Sequence, residues 1–124
     1  ADDPILRDRY VRLKARAAAM KFHKLRLLTC GLTGENPGVG GLIVKLNGTI
    51  LNHELAALAI DVMGEDGIAY DRGGDPALRS ASEWQWRYMF DLGLIIGGGT
   101  SQIQKNIIAE RGLGMPREPK VVAQ

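Results

Sequence analysis

Three long stretches of this chain carry apolar residues at every third or fourth position, and clusters of glycine and proline separate them. This spacing places the apolar side chains on one face of an α-helix, whereas a half-buried strand would need alternation. No stretch alternates convincingly, and no internal repeat is present. The pattern therefore predicts an all-α fold, an antiparallel helical bundle whose helices bury their apolar faces against each other.

The first helix is predicted to begin at Asp3 and Pro4, because aspartate is a common N-cap and proline is tolerated at the first helical position. We expect this helix to end before Gly31, where a loop rich in glycine and proline runs to Gly41. The second helix carries a wide apolar stripe. Gly48 interrupts that stripe without ending it, and we interpret this glycine as a point of close approach by another helix.

After the second helix, glycines lead into a connection of about a dozen residues, which is long enough to carry function. A third helix is predicted over Ala77–Ile96. Its inward side chains are expected at positions spaced three and four apart: Ala81, Trp84, Tyr88, Leu92 and Ile95. Trp84 and Trp86 are two positions apart and cannot face the same way, so we expect one in the core and one at an interface.

Gly97, Gly98 and Gly99 end the third helix, and Ser101 with Gln104 fits a capping box that opens a short last helix. Two prolines beyond that helix keep the end of the chain non-helical.

The predicted organisation is thus a bundle of three long helices and one short C-terminal helix over residues 1–113, followed by a non-helical tail at 114–124. A further long helix would complete the burial of the apolar stripes. We therefore expect that the first helix of the bundle is missing from this chain and that other helices complete it.

The charges give no reason to expect binding to nucleic acid or to an anionic membrane, because 16 basic and 14 acidic residues are spread along the chain. The apolar runs are far shorter than the roughly 18 residues that a membrane span needs. The lone Cys30 excludes an internal disulfide and fits a reducing, cytoplasmic location. We expect Cys30 to be a buried or half-buried residue near a helix end.

Other chemistry-bearing side chains do not form recognisable sites in the sequence. His23 and His53 lie on different helices without companion cysteines, so no metal site is predicted, and His53 is expected to be a hydrogen-bonded residue of the bundle. Ser80, Ser82 and Ser101 have no evident His and Asp partners, so no catalytic triad is predicted.

The triple glycine directly before a helix start is the strongest local signal for ligand binding. Without side chains a ligand can approach the backbone, and the free N–H groups at the helix start attract a carbonyl oxygen or a phosphate. A flexible hinge would use the same residues. The pattern is not a dinucleotide fingerprint, because a helix precedes it, and not a P-loop, because Gly-Lys-Ser/Thr is absent.

The stretch from Ile96 to Gly114, with Met-Pro-Arg after it, resembles the closing signature of the acyl-CoA dehydrogenase family. The rest of the chain is compatible with that family's C-terminal helical domain, which follows an N-terminal helical domain and a middle β-domain. The resemblance implies FAD as cofactor, acyl-CoA as substrate and a trans-2-enoyl-CoA as product. It also implies that the rest of a parent polypeptide and the other subunits of a homo- or hetero-oligomer are partners, and that the fragment alone is inactive.

The resemblance also assigns roles to individual residues. Thr100, Ser101 and Gln102 match positions that contact FAD, and Gly99 matches a position that lines the substrate thioester. The turn after the second helix matches a loop that reaches the FAD of a neighbouring subunit.

The chain departs from the family pattern in two places. Asp61 and Glu65 occupy the cofactor-contacting loop where many members have glutamine and glycine, which makes them candidates for cofactor binding. They are weaker candidates than Thr100, Ser101 and Gln102, because their carboxylates would repel a pyrophosphate. Gly98 stands where much of the family has the glutamate that removes the α-proton, so the resemblance implies no catalytic residue in this chain and a base located before Ala1. These departures leave open that the chain is a non-catalytic subunit of a heteromeric dehydrogenase. The missing initiator Met and the missing family domains leave open a second alternative, a stand-alone helical interaction module.

Overall fold

A computed structural model describes the backbone of residues 3–69 and 76–117 and the side chains of residues 3–69 and 82–117. Four α-helices account for most of these residues: α1 (Pro4–Thr33), α2 (Gly40–Met63), α3 (Pro76–Ile96) and α4 (Ser101–Gly112). A 3₁₀ turn, Gly64–Gly67, follows α2 directly. The described part contains no strand, and the prediction of an all-α bundle with three long helices and one short helix is confirmed.

The start of α1 follows the predicted capping chemistry. One carboxylate oxygen of Asp3 accepts hydrogen bonds from the backbone N–H groups of Ile5, at 2.7 Å, and Leu6, at 3.3 Å. Pro4 is the first helical residue, where its missing N–H removes no helical hydrogen bond.

The predicted end of α1 before Gly31 is wrong, because the helix continues through Gly31 to Thr33. Gly34 ends it instead with φ +73°, the left-handed conformation of a helix C-cap. The loop between α1 and α2 is also shorter than predicted at its C-terminal end, because Gly40 and Gly41 already belong to α2. A glycine inside a helix costs only about 1 kcal/mol, so composition alone could not place these two boundaries.

The three long helices form one layer with α2 in the middle, packed against α1 on one side and α3 on the other. Ion pairs Arg9–Asp61 and Arg16–Glu54 join the start of α1 to the end of α2. On the other side, His53 Nδ1 lies 3.1 Å from the Tyr88 carbonyl oxygen. Lys45 Nζ donates to the Ile95 carbonyl oxygen further along the same two helices. Both pairs of helices are therefore antiparallel neighbours, as the short connections predicted.

Only four apolar side chains of the described residues are buried: Leu13, Cys30, Ala56 and Leu58. Cys30 is 7% exposed and lies in the last turns of α1, which confirms its predicted place. The interpretation of Gly48 as a point of close approach is wrong within this chain, since a Cβ added there would meet nothing within 4 Å. Gly48 lies instead on an open face of α2.

The inner face of α3 differs from the prediction at one position. Trp84, Tyr88 and Ile95 are partly buried, but Leu92 is 40% exposed and the neighbouring Asp91 is 3% exposed. The predicted inward position of Leu92 is therefore wrong, because Asp91 rather than Leu92 lies on the buried side of α3. The prediction for Ala81 lies outside the residues whose side chains are described.

The two tryptophans do point differently. Trp86 is 55% exposed and stacks on Phe90 with ring centroids 4.9 Å apart, whereas Trp84 is partly buried. Trp86 and Phe90 thus form an aromatic shelf on the outside of α3.

The molecule exposes 9440 Å² of accessible surface. A compact monomer of 13.5 kDa is expected to expose about 6,500 Å². In the described residues, the layer of α1, α2 and α3 leaves many large hydrophobic side chains exposed. None of the helices searched in the described residues is long and apolar enough to cross a membrane.

Candidate functional site

The glycine turn between α3 and α4 has a conformation that requires glycine. The Gly97 N–H donates to the Gly93 carbonyl oxygen at 2.7 Å and completes the last turn of α3. Gly98 and Gly99 then have φ values of +67° and +103°, which residues with a side chain rarely adopt. The chain reverses at these two residues and enters α4 directly.

Two side chains hold this turn from the inside of the fold. Lys45, on α2, donates through Nζ to the Ile95 carbonyl oxygen at 3.0 Å and also to that of Gly99. Gln104, on α4, donates through Nε2 to the Gly98 carbonyl oxygen at 2.8 Å. The ammonium group of Lys45 satisfies carbonyls at the C-terminal end of α3, where a positive charge is also favourable for the helix dipole.

The sequence interpretation missed Lys45. The available signal was its position in an otherwise apolar segment, between Val44 and Leu46, where a lysine needs acceptors for its ammonium group. Nothing in the sequence indicated that those acceptors would be carbonyl oxygens about fifty residues away.

The N-cap of α4 is Thr100 rather than Ser101. Thr100 Oγ1 accepts from the Ile103 N–H at 3.3 Å, and the Thr100 carbonyl accepts from the Gln104 N–H at 2.9 Å. The predicted capping box of Ser101 and Gln104 is wrong by one position, because Ser101 is already helical and the Gln104 side chain reaches the glycine turn.

The outer side of the turn is open. A Cβ added to Gly98 would meet nothing within 4 Å, and Gln102 is exposed. Among the described residues, no hydrogen bond is donated by the backbone N–H groups of Ser101 or Gln102, as expected for the first residues of a helix. Thr100, Ser101 and Gln102 therefore present polar atoms beside a backbone without side chains, and Gly99 faces Gln104 on the inner side.

Asp61 and Glu65 lie at the other end of α2. Lys45 and Asp61 are separated by about 24 Å along the helix at 1.5 Å per residue, so the structure does not bring Asp61 or Glu65 together with Thr100, Ser101 and Gln102. Asp61 pairs with Arg9 at 2.6 Å, and both side chains are partly exposed. Glu65 is exposed in the 3₁₀ turn, where its carbonyl accepts from Ile68.

The loop after α2 is held by α3. Gln85 donates through Nε2 to the carbonyl oxygens of Gly67 and Ala69. Gly67 is buried so tightly that an added Cβ would lie 2.3 Å from the Ile60 carbonyl oxygen. This close approach explains glycine at position 67, and it fixes where the loop leaves α2.

The histidines have structural hydrogen bonds. His53 contacts the Tyr88 carbonyl and stacks on the Tyr88 ring at a centroid distance of 4.1 Å, which confirms its predicted role as a hydrogen-bonded bundle residue. His23 Nε2 lies 2.9 Å from the Gly40 carbonyl oxygen. Within the described ranges there is no group of three or more His, Cys, Asp or Glu residues that could hold a metal ion.

Comparison with known proteins places these features in a family context. Residues 1–113 match the family described as acyl-CoA dehydrogenase, C-terminal domain. The chain is 38% identical over 120 residues to acyl-CoA dehydrogenase IpdE1 of Mycobacterium tuberculosis, covering 97% of this chain and 29% of that protein. Its likeness to IpdE1 of Mycolicibacterium smegmatis is also 38% over 120 residues, covering 97% and 28%.

Two solved structures share the fold. One is described as the Tcur3481-Tcur3483 steroid ACAD, with a TM-score of 0.80, 22% identity, and coverage of 94% of this chain and 30% of that one. The other is the ChsE4-ChsE5 complex from Mycobacterium tuberculosis, with a TM-score of 0.76, 25% identity, and coverage of 95% and 29%. The chain thus spans less than a third of the length of each of these relatives.

Proposed function

Because this chain belongs to the acyl-CoA dehydrogenase family and corresponds to its C-terminal domain, we propose that it serves as that domain in a FAD-dependent enzyme. The enzyme would oxidise an acyl-CoA thioester between Cα and Cβ to the trans-2-enoyl thioester. The observation that carries the proposal is the open glycine turn, with the start of α4 beside it, in the segment that resembles the family's closing signature.

The residues at the turn fit a large polar cofactor. The N–H groups of Ser101 and Gln102 have no acceptor among the described residues, and Gly98 leaves space that a side chain would fill. Free N–H groups at a helix start favour a carbonyl oxygen or a phosphate. We infer that Thr100, Ser101 and Gln102 contact FAD and that Gly99 lies along the thioester.

FAD, when bound, supplies the acceptor for the hydride that leaves Cβ. The chain's own contribution is position: Lys45 and Gln104 fix the turn so that the backbone presents the same surface to each substrate. Gly98 has no side chain and cannot remove the α-proton, so general-base assistance of about 10²–10⁴-fold has to come from another part of the enzyme.

Asp61 and Glu65 do not fit a pyrophosphate. Both are acidic, and the Asp61 carboxylate already has Arg9 as its partner. If the loop after α2 faces the FAD of a neighbouring subunit, Arg9 is the member of the Arg9–Asp61 pair whose positive charge would attract a phosphate.

The proposal is tested by expressing the full-length protein that contains this domain, recording its flavin absorption and assaying dye reduction with acyl-CoA substrates. We expect a yellow protein that reduces the dye only when acyl-CoA is present. The Ser101→Ala, Gln102→Ala double variant should retain less flavin per protein, whereas Lys105→Ala, on the same helix and exposed, should retain the wild-type amount. A colourless and inactive full-length protein would contradict the proposal.

A non-catalytic subunit of a heteromeric dehydrogenase is the second candidate function. Two observations favour it: Gly98 in place of a base and the internal pairing of Asp61 with Arg9. The structural neighbour ChsE4-ChsE5 is itself a complex of two different chains. Co-expression separates the two functions, since a non-catalytic subunit would retain flavin only together with a companion chain.

A further inference from the structure

A cleft of about 630 Å³ lies at the end of the bundle where α1 stops and α2 starts. It is lined by the C-terminal half of α1, the loop before α2, the first turns of α2 and the end of α4. Its volume is within the range of about 300–1,000 Å³ that small-molecule sites occupy. The cleft is separate from the glycine turn, because Arg111 lies about 15 Å along α4 from Ser101, at a rise of 1.5 Å per residue.

Close packing holds the elements around the cleft together. At Gly112, the last residue of α4, an added Cβ would lie 2.9 Å from Val39 Cγ2 in the loop. At Gly40, the first residue of α2, it would lie 2.8 Å from Leu27 Cδ2 on α1. His23 Nε2 also lies 2.9 Å from the Gly40 carbonyl oxygen, and the histidine is the donor because a carbonyl can only accept. The backbone around the cleft is therefore held in place by contacts within the chain.

The ionisable side chains that line the cleft are all basic. They are His23, Arg26 and Arg111, and none of the described carboxylates lines the cleft. Both arginines are exposed, and neither has an ion pair or a side-chain hydrogen bond within the described residues. By contrast, four other arginines each pair with a carboxylate: Arg9, Arg12, Arg16 and Arg117. The guanidinium groups of Arg26 and Arg111 are therefore available to an anion from outside the chain.

The acidic residues nearest in sequence to these two arginines do not neutralise them. Glu110 precedes Arg111, but its carboxylate pairs with Arg117 at 3.2 Å. Glu35 is the only acidic residue between positions 9 and 53, and it does not line the cleft. The start of α2 lines the cleft as well, and the partial positive charge of a helix N-terminus has the same sign as the arginines. The charge around the cleft thus favours a negatively charged ligand.

We propose that this cleft binds a phosphate group, with Arg26 and Arg111 as its ligands. A guanidinium presents a planar pair of N–H donors that matches two phosphate oxygens, and it remains charged at physiological pH. Because the two arginines line the same cleft from different helices, they can bind one phosphate from two sides. A concave cleft of this size fits a free phosphate ion or the phosphate of a small molecule such as a nucleotide. The inference does not depend on the proposed enzymatic function.

The proposal is tested by isothermal titration calorimetry of the 124-residue chain at low salt, with inorganic phosphate and AMP as the two probes. We expect a dissociation constant below about 10 mM for at least one probe. Arg26→Ala and Arg111→Ala should each raise that constant by about tenfold or more. Arg26→Lys should recover only part of the loss, because a lysine keeps the charge but not the paired donors.

The two probes also distinguish the sources of the phosphate. Equal affinities would assign binding to the phosphate group alone, as for a free phosphate ion, whereas tighter binding of AMP would assign it to a nucleotide. Either result supports the proposal. Binding of neither probe up to about 10 mM would overturn it.

Arg7→Ala is the matched control, because Arg7 is an exposed arginine near the other end of α1. It should leave the dissociation constant unchanged. A loss of affinity equal to that of the two cleft variants would overturn the proposal, since it would indicate general attraction of anions to a basic surface. Circular dichroism should show an unchanged helix content in every variant, because the substituted side chains are exposed. The titration requires no flavin or acyl-CoA, so its failure would leave the proposed enzymatic function untouched.

Discussion

At the scale of residues, the conformation of the glycine turn depends on two side chains outside the glycine motif, Lys45 and Gln104. The motif indicated only that the backbone would be open there. The structure adds that Lys45 and Gln104 donate to the carbonyl oxygens of Gly98, Gly99 and Ile95, so the turn is held on its inner side and open on its outer side. A turn fixed in this way is preorganised, which is what a binding surface requires.

Replacement of Lys45 should therefore destabilise the fold. Lys45→Met keeps the length of the side chain but removes the donors to the Ile95 and Gly99 carbonyls. Because hydrogen bonds to a charged group contribute about 1.5–3 kcal/mol and Lys45 is only partly buried, we expect a loss of about 1–2 kcal/mol in the free energy of unfolding. Urea denaturation measures this change, and Lys105→Met is the matched control; an equal effect of both would refute the role of Lys45.

The cap of α4 gives a second test at the same scale. Thr100→Val removes the hydroxyl that accepts from Ile103 and should lower the free energy of unfolding by about 1 kcal/mol. Ser101→Ala should change it by only a few tenths, because Ser101 is the first helical residue and not the cap. Thermal unfolding of the two variants decides between them, and the reverse order would restore the capping box that the sequence suggested.

At the scale of elements, the helices were easier to predict than their ends. Apolar spacing located α1, α2 and α3, since burial of an apolar stripe needs a period near 3.6. The end of α1 was misplaced because Gly31 and Gly34 look alike in the sequence. They differ only in backbone conformation, which is helical at Gly31 and left-handed, with φ +73°, at Gly34.

These two glycines should respond in opposite directions to the same substitution. Gly31→Ala should raise the free energy of unfolding by about 0.5–1 kcal/mol, because a Cβ at this helical position meets nothing within 4 Å. Gly34→Ala should lower it by about 1 kcal/mol, because alanine is strained at positive φ. Chemical denaturation of both variants measures the difference, and two changes of the same sign would show that the helix ends elsewhere.

At the scale of the whole molecule, the main feature is surface that the chain leaves uncovered. Within the part of the chain whose side chains are described, nineteen large hydrophobic side chains are 39% exposed or more, including Phe22, Leu32 and Met89. Exposed hydrophobic side chains mark interfaces in folded proteins where they form a contiguous patch, as the stacked Trp86 and Phe90 do. The expectation that further helices complete the bundle stays a prediction.

The fluorescence of Trp86 can measure whether the outer side of α3 is covered by another part of the protein. In a Trp84→Phe variant of this chain at low concentration, Trp86 is the remaining tryptophan and should be readily quenched by acrylamide, because it is 55% exposed. In the full-length protein, an interface over the outer side of α3 should reduce the quenching constant several-fold. Equal quenching in the two proteins would mean that this side of α3 faces solvent in both.

The sequence by itself determined the all-α class, the number of helices, the N-cap of α1 and the position of the glycine turn, because each depends on residues close together in the chain. It also indicated the hydrogen-bonded role of His53, which the contact with Tyr88 confirms. Only the tertiary structure decided that Lys45 holds the turn, that Asp61 pairs with Arg9, and that Asp91 rather than Leu92 faces inward. Those facts depend on the register between helices, which is set by packing across distances that no local pattern encodes.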